Sequence, residues 1–110
     1  MGVYEDKVTK NKGKSRIIWN ALKGKKSIGM IGRDEEAGLI EVAKPMGVIA
    51  AATPCTNPIV TPMCNAMYAV KCQNTIIIAP HPRSKKCAMA VLNCITRNWT
   101  AWACREIFSW

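Results

Sequence analysis

Two short runs, Gly47-Val48-Ile49-Ala50-Ala51-Ala52 and Thr75-Ile76-Ile77-Ile78-Ala79, are apolar without alternation. A strand with one face in water alternates apolar and polar residues, so continuous runs of this length predict strands covered on both faces, as in a parallel sheet. Gly and Pro bound them, with Pro45 and Pro54 around the first and Pro80 after the second. Between them, beyond the loop Thr53-Pro54-Cys55-Thr56-Asn57-Pro58, the stretch from Ile59 to Cys72 has the length and Met/Ala content of a helix. Thr61 is its expected N-cap and Pro62 its first helical residue. Strand, loop, helix and strand make one βαβ unit, an expected right-handed crossover that brings both strand C-termini and their loops to one edge. Ligands of α/β sheets bind at that edge.

The flanks are simpler. Ser84 to about Thr96 is helix-compatible and would lead to a third parallel strand, which does not follow. Ser27–Ile31 and Leu39–Ala43 read as a hairpin around the polar turn 32–36, closed by Lys44-Pro45. From Gly2 to Lys23 apolar residues are thinly spread through Lys-rich sequence, predicting one or two surface helices interrupted near Gly13 and ended by Gly24. The expected organisation is an incomplete domain over 1–96, made of a helical arm (1–26), a hairpin (27–45) and a βαβα unit (46–96), followed by an aberrant tail over 97–110. A chain of 110 residues suffices for one small domain and cannot hold both a nucleotide-binding and a catalytic one.

The net charge of +9 is concentrated at the front. Residues 1–33 carry Lys7, Lys10, Lys12, Lys14, Arg16, Lys23, Lys25, Lys26 and Arg33 against Glu5 and Asp6. A small basic nucleic-acid-binding protein is therefore the alternative reading, but the lysines show no repeated aromatic interleaving and no recognised motif is present. A solvated lysine face accounts for the charge without a partner. Cys55, Cys64, Cys72, Cys87, Cys94 and Cys104 form no C-x-x-C pair, and His81 is the only histidine, so no metal site is expected. Their apolar neighbours suggest buried, reduced thiols of a cytoplasmic protein. No apolar run nears the ~20 residues that span a bilayer, and no signal peptide is visible. Met1 opens directly into charged, helix-compatible sequence, as though the start lay inside a longer protein.

TPCTNP at 53–58 and APHPRSKK at 79–86 resemble the corresponding loops of the coenzyme A-acylating aldehyde dehydrogenases. MGVYEDKV at 1–8, AKPMGVIAA at 43–51, NPIVTPMCNAM at 57–67 and NTIIIAPHP at 74–82 resemble the succinate-semialdehyde branch, with the acetaldehyde-acting enzymes close behind. The likeness covers residues 1 to about 95 and is specific as a set. It implies an α/β fold, here a partial Rossmann-like βαβ dinucleotide-binding domain with an N-terminal helical arm and a short β-hairpin. It also implies a reaction in which aldehyde, coenzyme A and NAD give acyl-CoA and NADH.

Within that likeness Asn57 matches the amide that donates to the developing oxyanion, a kind of contact worth about 3–4 kcal/mol in enzymes from which one was removed. Read from its own neighbours, Asn57 would instead cap or brace the loop before Pro58. Ala52, Thr53, Pro54, Cys55 and Thr56 fall along the cofactor groove, as do Ala79, Pro80, His81 and Pro82. Ala79 stands where non-acylating relatives carry a Lys for the adenosine ribose, which leaves NAD and NADP undistinguished. His81 either replaces that contact or is a rigid turn residue. The family nucleophile lies far beyond this region, so no cysteine here matches it and Cys55 is read as a loop thiol. The expected partners are a small aldehyde and coenzyme A in the full-length enzyme, with no nucleic acid and no membrane. The chain alone is expected to be inactive, and a fragment that pairs with a full-length dehydrogenase through its sheet edge is a further option.

The tail RNWTAWACREIFSW holds three of the four tryptophans and matches nothing in the family. Read one base earlier, the Asn98-Trp99, Trp99-Thr100 and Trp102-Ala103 junctions must encode Leu, Asp and Gly. The remaining junctions then permit E-L-D-S-L-G-V-P-G-N-I-F, a helix end, a stop and a new strand. A frameshift near Thr96 is therefore expected, with a natural Trp-rich tail as the alternative. Trp99, Trp102, Phe108 and Trp110 would add an apolar stretch prone to self-association.

Overall fold

The computed structural model describes residues 3–106, with side chains as far as Asn98. Its elements are α1 (Tyr4–Leu22), β1 (Gly29–Asp34), β2 (Leu39–Ala43), β3 (Val48–Thr53), α2 (Val60–Lys71), β4 (Thr75–Pro80), a 3-10 turn over Pro82–Ser84, and α3 (Lys85–Glu106). The architecture is α/β, and β3 pairs with β4 in parallel, Val48 opposite Thr75 through Thr53 opposite Pro80. Both C-terminal ends thus lie at one edge.

The residues between the strands set that register. Asn74 receives the N–H groups of Met46 (2.6 Å) and Gly47 (2.9 Å) on its Oδ1, and the Thr75 N–H donates to the Gly47 carbonyl at 2.9 Å. Gly47 has φ +101, open to glycine and strained for other residues. The C-terminus of α2 closes by a 6→1 bond from Asn74 N–H to Ala69 O and a 5→2 bond from Gln73 N–H to Val70 O, with Gln73 left-handed at φ 53. One loop therefore ends the helix and starts both strands.

Cover on both faces of the strands is not what forms. Ile49, Ala51, Thr53, Ile76, Ile78 and Pro80 turn to the face packed by α2, whereas Val48 and Ile77 on the other face are 66% and 62% exposed. Among the described residues nothing covers that second face. The core is correspondingly small: Val60, Pro62, Cys64, Ala66 and Ala69 of α2, Ala88 of α3, and the polar Thr53 and Ser84. A radius of gyration of 16.3 Å, against about 13 Å for a compact chain of this length, fits so small a core.

Several local expectations are corrected. Residues 4–22 form one helix that passes through Gly13, because a single glycine costs only ~1 kcal/mol against Ala in a helix interior. The start of α2 lies at Val60, after Ile59 and with no side-chain cap, so Thr61 is inside the helix. Pro62 is accommodated in the first turn, where its missing N–H has no intrahelical partner to lose. In the hairpin β1 runs on to Asp34, taking Gly32 and Arg33 out of the expected turn, with a register irregularity between Met30 and Gly32. Asp34 Oδ1 accepts from the N–H groups of Glu36 and Ala37, both at 3.0 Å, and Gly38 at φ +65 completes the reversal.

The second helix of the unit does not stop at Thr96. No Gly or Pro occurs between Ser84 and Glu106, and α3 continues to Glu106. The side chains of Trp99, Trp102 and Cys104, and all of Phe108 and Trp110, lie outside the described residues. Nor are the cysteines a buried set: Cys64 is buried and Cys72 half-buried, while Cys55, Cys87 and Cys94 are exposed, all as free thiols. Cys87 and Cys94, seven residues apart, share a face of α3. That face is uncovered among the described residues, which is why apolar neighbours in sequence did not mean burial.

Candidate functional site at the edge of the parallel pair

Beyond β3 and β4 the chain makes two loops, 53–58 and 81–84, and one hydrogen bond ties them. The His81 N–H donates to Thr53 O at 3.1 Å, a step past the last paired residues. His81 then organises its own turn: its Nδ1 accepts from Arg83 N–H (3.2 Å), and its carbonyl accepts from Ser84 N–H (2.9 Å) and Ser84 Oγ–H (3.1 Å). With Nδ1 taken as an acceptor, Nε2 is the ring nitrogen left to donate, and no described residue takes it.

Register sets the two expected groove walls beside each other, Ala52 opposite Ala79 and Thr53 opposite Pro80. Ala52, Pro54, Cys55, Thr56, Ala79, His81 and Pro82 are exposed there and Pro80 is half-buried. Thr53 is the exception, with a buried hydroxyl that finds no hydrogen-bond partner among the described residues. Its neighbour across the pair, Pro80, has no N–H to offer.

Asn57 sits where the loop enters α2. Its carbonyl accepts the Thr61 N–H at 3.3 Å, and its side-chain oxygen accepts the Lys10 ammonium at 2.7 Å. The amide caps no N–H of α2. One residue earlier, Thr56 O accepts from Lys7 Nζ at 3.1 Å. Further along the same face of α1, Ser15 Oγ lies 3.9 Å from Met63 Sδ, and Lys14 is close enough to Cys64 to act on its thiol. Burial pushes that thiol up from its ordinary value, and the Lys14 charge offsets part of the rise.

Lys7 and Lys10 are functional candidates that the sequence reading missed, since it took the lysines as a solvated face. The usable signal was their spacing, because residues three and seven apart (7, 10, 14) share one side of a helix. That side is turned to the loop and α2. Elsewhere the charge behaves as expected of a surface, as in the exposed Arg33–Glu35 pair at 3.8 Å. Among the described residues no three His, Cys, Asp or Glu side chains gather where a metal could bind, and no helix is long and apolar enough to cross a membrane.

This geometry has close counterparts. The chain is 63% identical over 86 residues to the succinate-semialdehyde dehydrogenase (acetylating) of Clostridium kluyveri, a match over 78% of this chain and 19% of that protein. In solved structures it superposes with a TM-score of 0.80 on a probable aldehyde dehydrogenase from Listeria monocytogenes, at 36% identity, over 87% of this chain and 21% of that one. By sequence and fold the chain belongs to the acylating aldehyde dehydrogenases. An acetylating aldehyde dehydrogenase from Geobacillus thermoglucosidasius superposes with a TM-score of 0.73 at 35% identity, over 80% of this chain and 20% of that one. No family model matches the chain. It spans about a fifth of the length of these relatives, and the segment in hand is the α/β, Rossmann-like part.

Proposed function

We propose that residues 3–96 are the cofactor-side βαβ segment of a coenzyme A-acylating aldehyde dehydrogenase. In this reading loop 53–58 and turn 79–82 line the nicotinamide cofactor groove, and Asn57 donates to the oxyanion. The observation that carries it is Asn57: its Oδ1 is taken by Lys10 and it caps nothing, so its Nδ2–H2 remains for a ligand. NAD fits what surrounds it. Small or rigid exposed residues, Ala52, Pro54, Ala79 and Pro82, give a flat wall on which a planar ring can lie, and Nε2–H of His81 is a donor available to a ribose. Bound NAD would supply a hydride acceptor; the chain's part is to hold it and to present Asn57. Coenzyme A would take the acyl group, and the setting is cytoplasmic.

Among the described residues no cysteine is hydrogen-bonded to a histidine or a carboxylate, and Cys64, next to Lys14, is buried with its thiol pushed up. The chain by itself is therefore proposed to turn over no aldehyde and to bind NAD weakly. Nucleic-acid binding is less favoured, because two lysines of the basic arm are already engaged with loop 53–58.

The test is a chimera in which residues 1–95 replace their counterparts in the Clostridium kluyveri relative, assayed for NADH formation from succinate semialdehyde and coenzyme A. Activity in the chimera and a ~100- to 1,000-fold loss of kcat on Asn57→Ala are expected. An active chimera indifferent to Asn57→Ala would remove Asn57 from the reaction. NADH formation by the 110-residue chain alone would overturn the proposed inactivity.

A further inference from the structure

We infer that Lys7 and Lys10 of α1 are positioning residues that aim both donors of Asn57 to one side. The inference rests on the reading of Asn57 as an oxyanion donor, but its geometry does not. An ammonium has three donors and no acceptor, so the Asn57 atom 2.7 Å from Lys10 Nζ must be the amide oxygen, and the Nδ2–H bond anti to that oxygen is directed away from α1. Lys7 does the same for the main chain. It holds the Thr56 carbonyl toward α1 at 3.1 Å, and across a trans peptide C=O and N–H point opposite ways, so the Asn57 N–H also leaves α1 behind. Neither donor has an acceptor among the described residues.

Two donors of one residue, one main-chain and one side-chain, are thereby turned to the side away from α1. The Asn57 carbonyl is anchored at the same time as an acceptor for the first turn of α2. All three remaining dipoles of the residue are thus fixed, which is the pre-organisation that an oxyanion contact needs in order to act without rearrangement. Charge adds to orientation. The Lys10 ammonium draws electron density toward Oδ1, and a carbonyl polarised in this way makes its own N–H groups better donors. A hydrogen bond from an ionised donor to a half-buried acceptor is also stronger than a neutral one, so the amide does not turn freely between its two orientations.

The inference is tested on the isotopically labelled full chain by NMR. The Asn57 side-chain Nδ2–H2 and Cγ resonances are compared in the wild type and in the Lys10→Met, Lys10→Arg and Lys12→Met variants. Lys10→Met is expected to move Cγ upfield and broaden the Nδ2–H2 pair. Lys10→Arg, which keeps an ionised donor, should restore both signatures, and Lys12→Met on the exposed side of α1 should change neither. In the same spectra Lys7→Met should shift the Thr56 carbonyl and the Asn57 main-chain amide. Unchanged Asn57 side-chain resonances in Lys10→Met would overturn the inference. So would identical changes in Lys12→Met, since they would then report loss of helix docking. These readouts do not depend on turnover, so an Asn57→Ala chimera of unchanged kcat would sink the oxyanion reading and leave the orientation standing.

Discussion

The His81 main-chain N–H donates to the carbonyl of Thr53 at 3.1 Å, and Thr53 and Pro80 are the last paired residues of the two parallel strands. The bond lies where the ladder would otherwise fray, because Pro80 brings no N–H of its own. It holds the loop that carries Asn57 against the turn that carries His81. The candidate groove therefore depends on a residue whose ring and whose main chain have different tasks.

Those tasks can be separated. The φ of −57 and ψ of 137 at His81 are open to proline, so His81→Pro deletes the N–H and the ring without forcing the backbone. We expect it to cost about 1–2 kcal/mol, or a Tm lower by ~5–10 °C in a domain of this size. His81→Ala removes only the cap on Arg83 N–H and should cost about 0.5–1 kcal/mol. Thermal melts of the two variants against wild type decide this, and equal effects would put the stabilisation in the ring.

Gln73 offers a gain in stability. It holds a left-handed conformation at φ 53 as the residue after the α2 cap, which costs a non-glycine residue about 1–2 kcal/mol. Part of that returns as lost chain entropy when glycine is introduced. Gln73→Gly should therefore stabilise by about 0.5–1 kcal/mol in urea unfolding, and Gln73→Val should destabilise. A Gln73→Gly midpoint below that of the wild type would show that the side chain matters more than the backbone angle.

How far these features could be read in advance depends on which property the sequence encodes locally. The βαβ unit was legible because 47–52 and 75–79 lack alternation and are cut by Gly and Pro, and both strands form within a residue of the expected limits. Burial was not legible. A continuous apolar run says what a strand can tolerate, and only tertiary partners decide whether Val48 and Ile77 are covered. Thr61 was misread for the same reason, since a cap is a hydrogen bond and residue type is only its precondition. The groove residues came from family likeness. Lys10 was hidden because a charge count records how many lysines an arm has, whereas its partner Asn57 lies 47 residues away in sequence.

Thr53 carries the one buried side-chain oxygen without a hydrogen-bond partner among the described residues. An unsatisfied hydroxyl costs about 1–3 kcal/mol, and Val fills nearly the same volume without it. Thr53→Val should raise the unfolding free energy by about 1 kcal/mol, while Thr53→Ser, which keeps the hydroxyl and loses a methyl, should lower it. A destabilised Thr53→Val variant in urea titrations would indicate that the hydroxyl is satisfied after all.

Cys64 gives the pH dependence. Burial where α2 packs against α1 raises its thiol above the ordinary value near 9.0, with Lys14 opposing part of the rise, so the folded chain holds this proton more tightly than the unfolded one. A group with a raised folded pKa contributes its full stability below the unfolded value and loses it as pH climbs through the folded one. Other groups titrate in the same range, so the informative quantity is the difference between wild type and Cys64→Ala. That difference should be constant from about pH 7 to about pH 8 and shift against the wild type as pH rises beyond ~9, read from urea midpoints at each pH. Alkylation provides a second measure, because exposed Cys55, Cys87 and Cys94 should react with iodoacetamide well before Cys64. A pH-independent gap together with rapid alkylation of Cys64 would mean that α1 does not stay docked on α2 in solution.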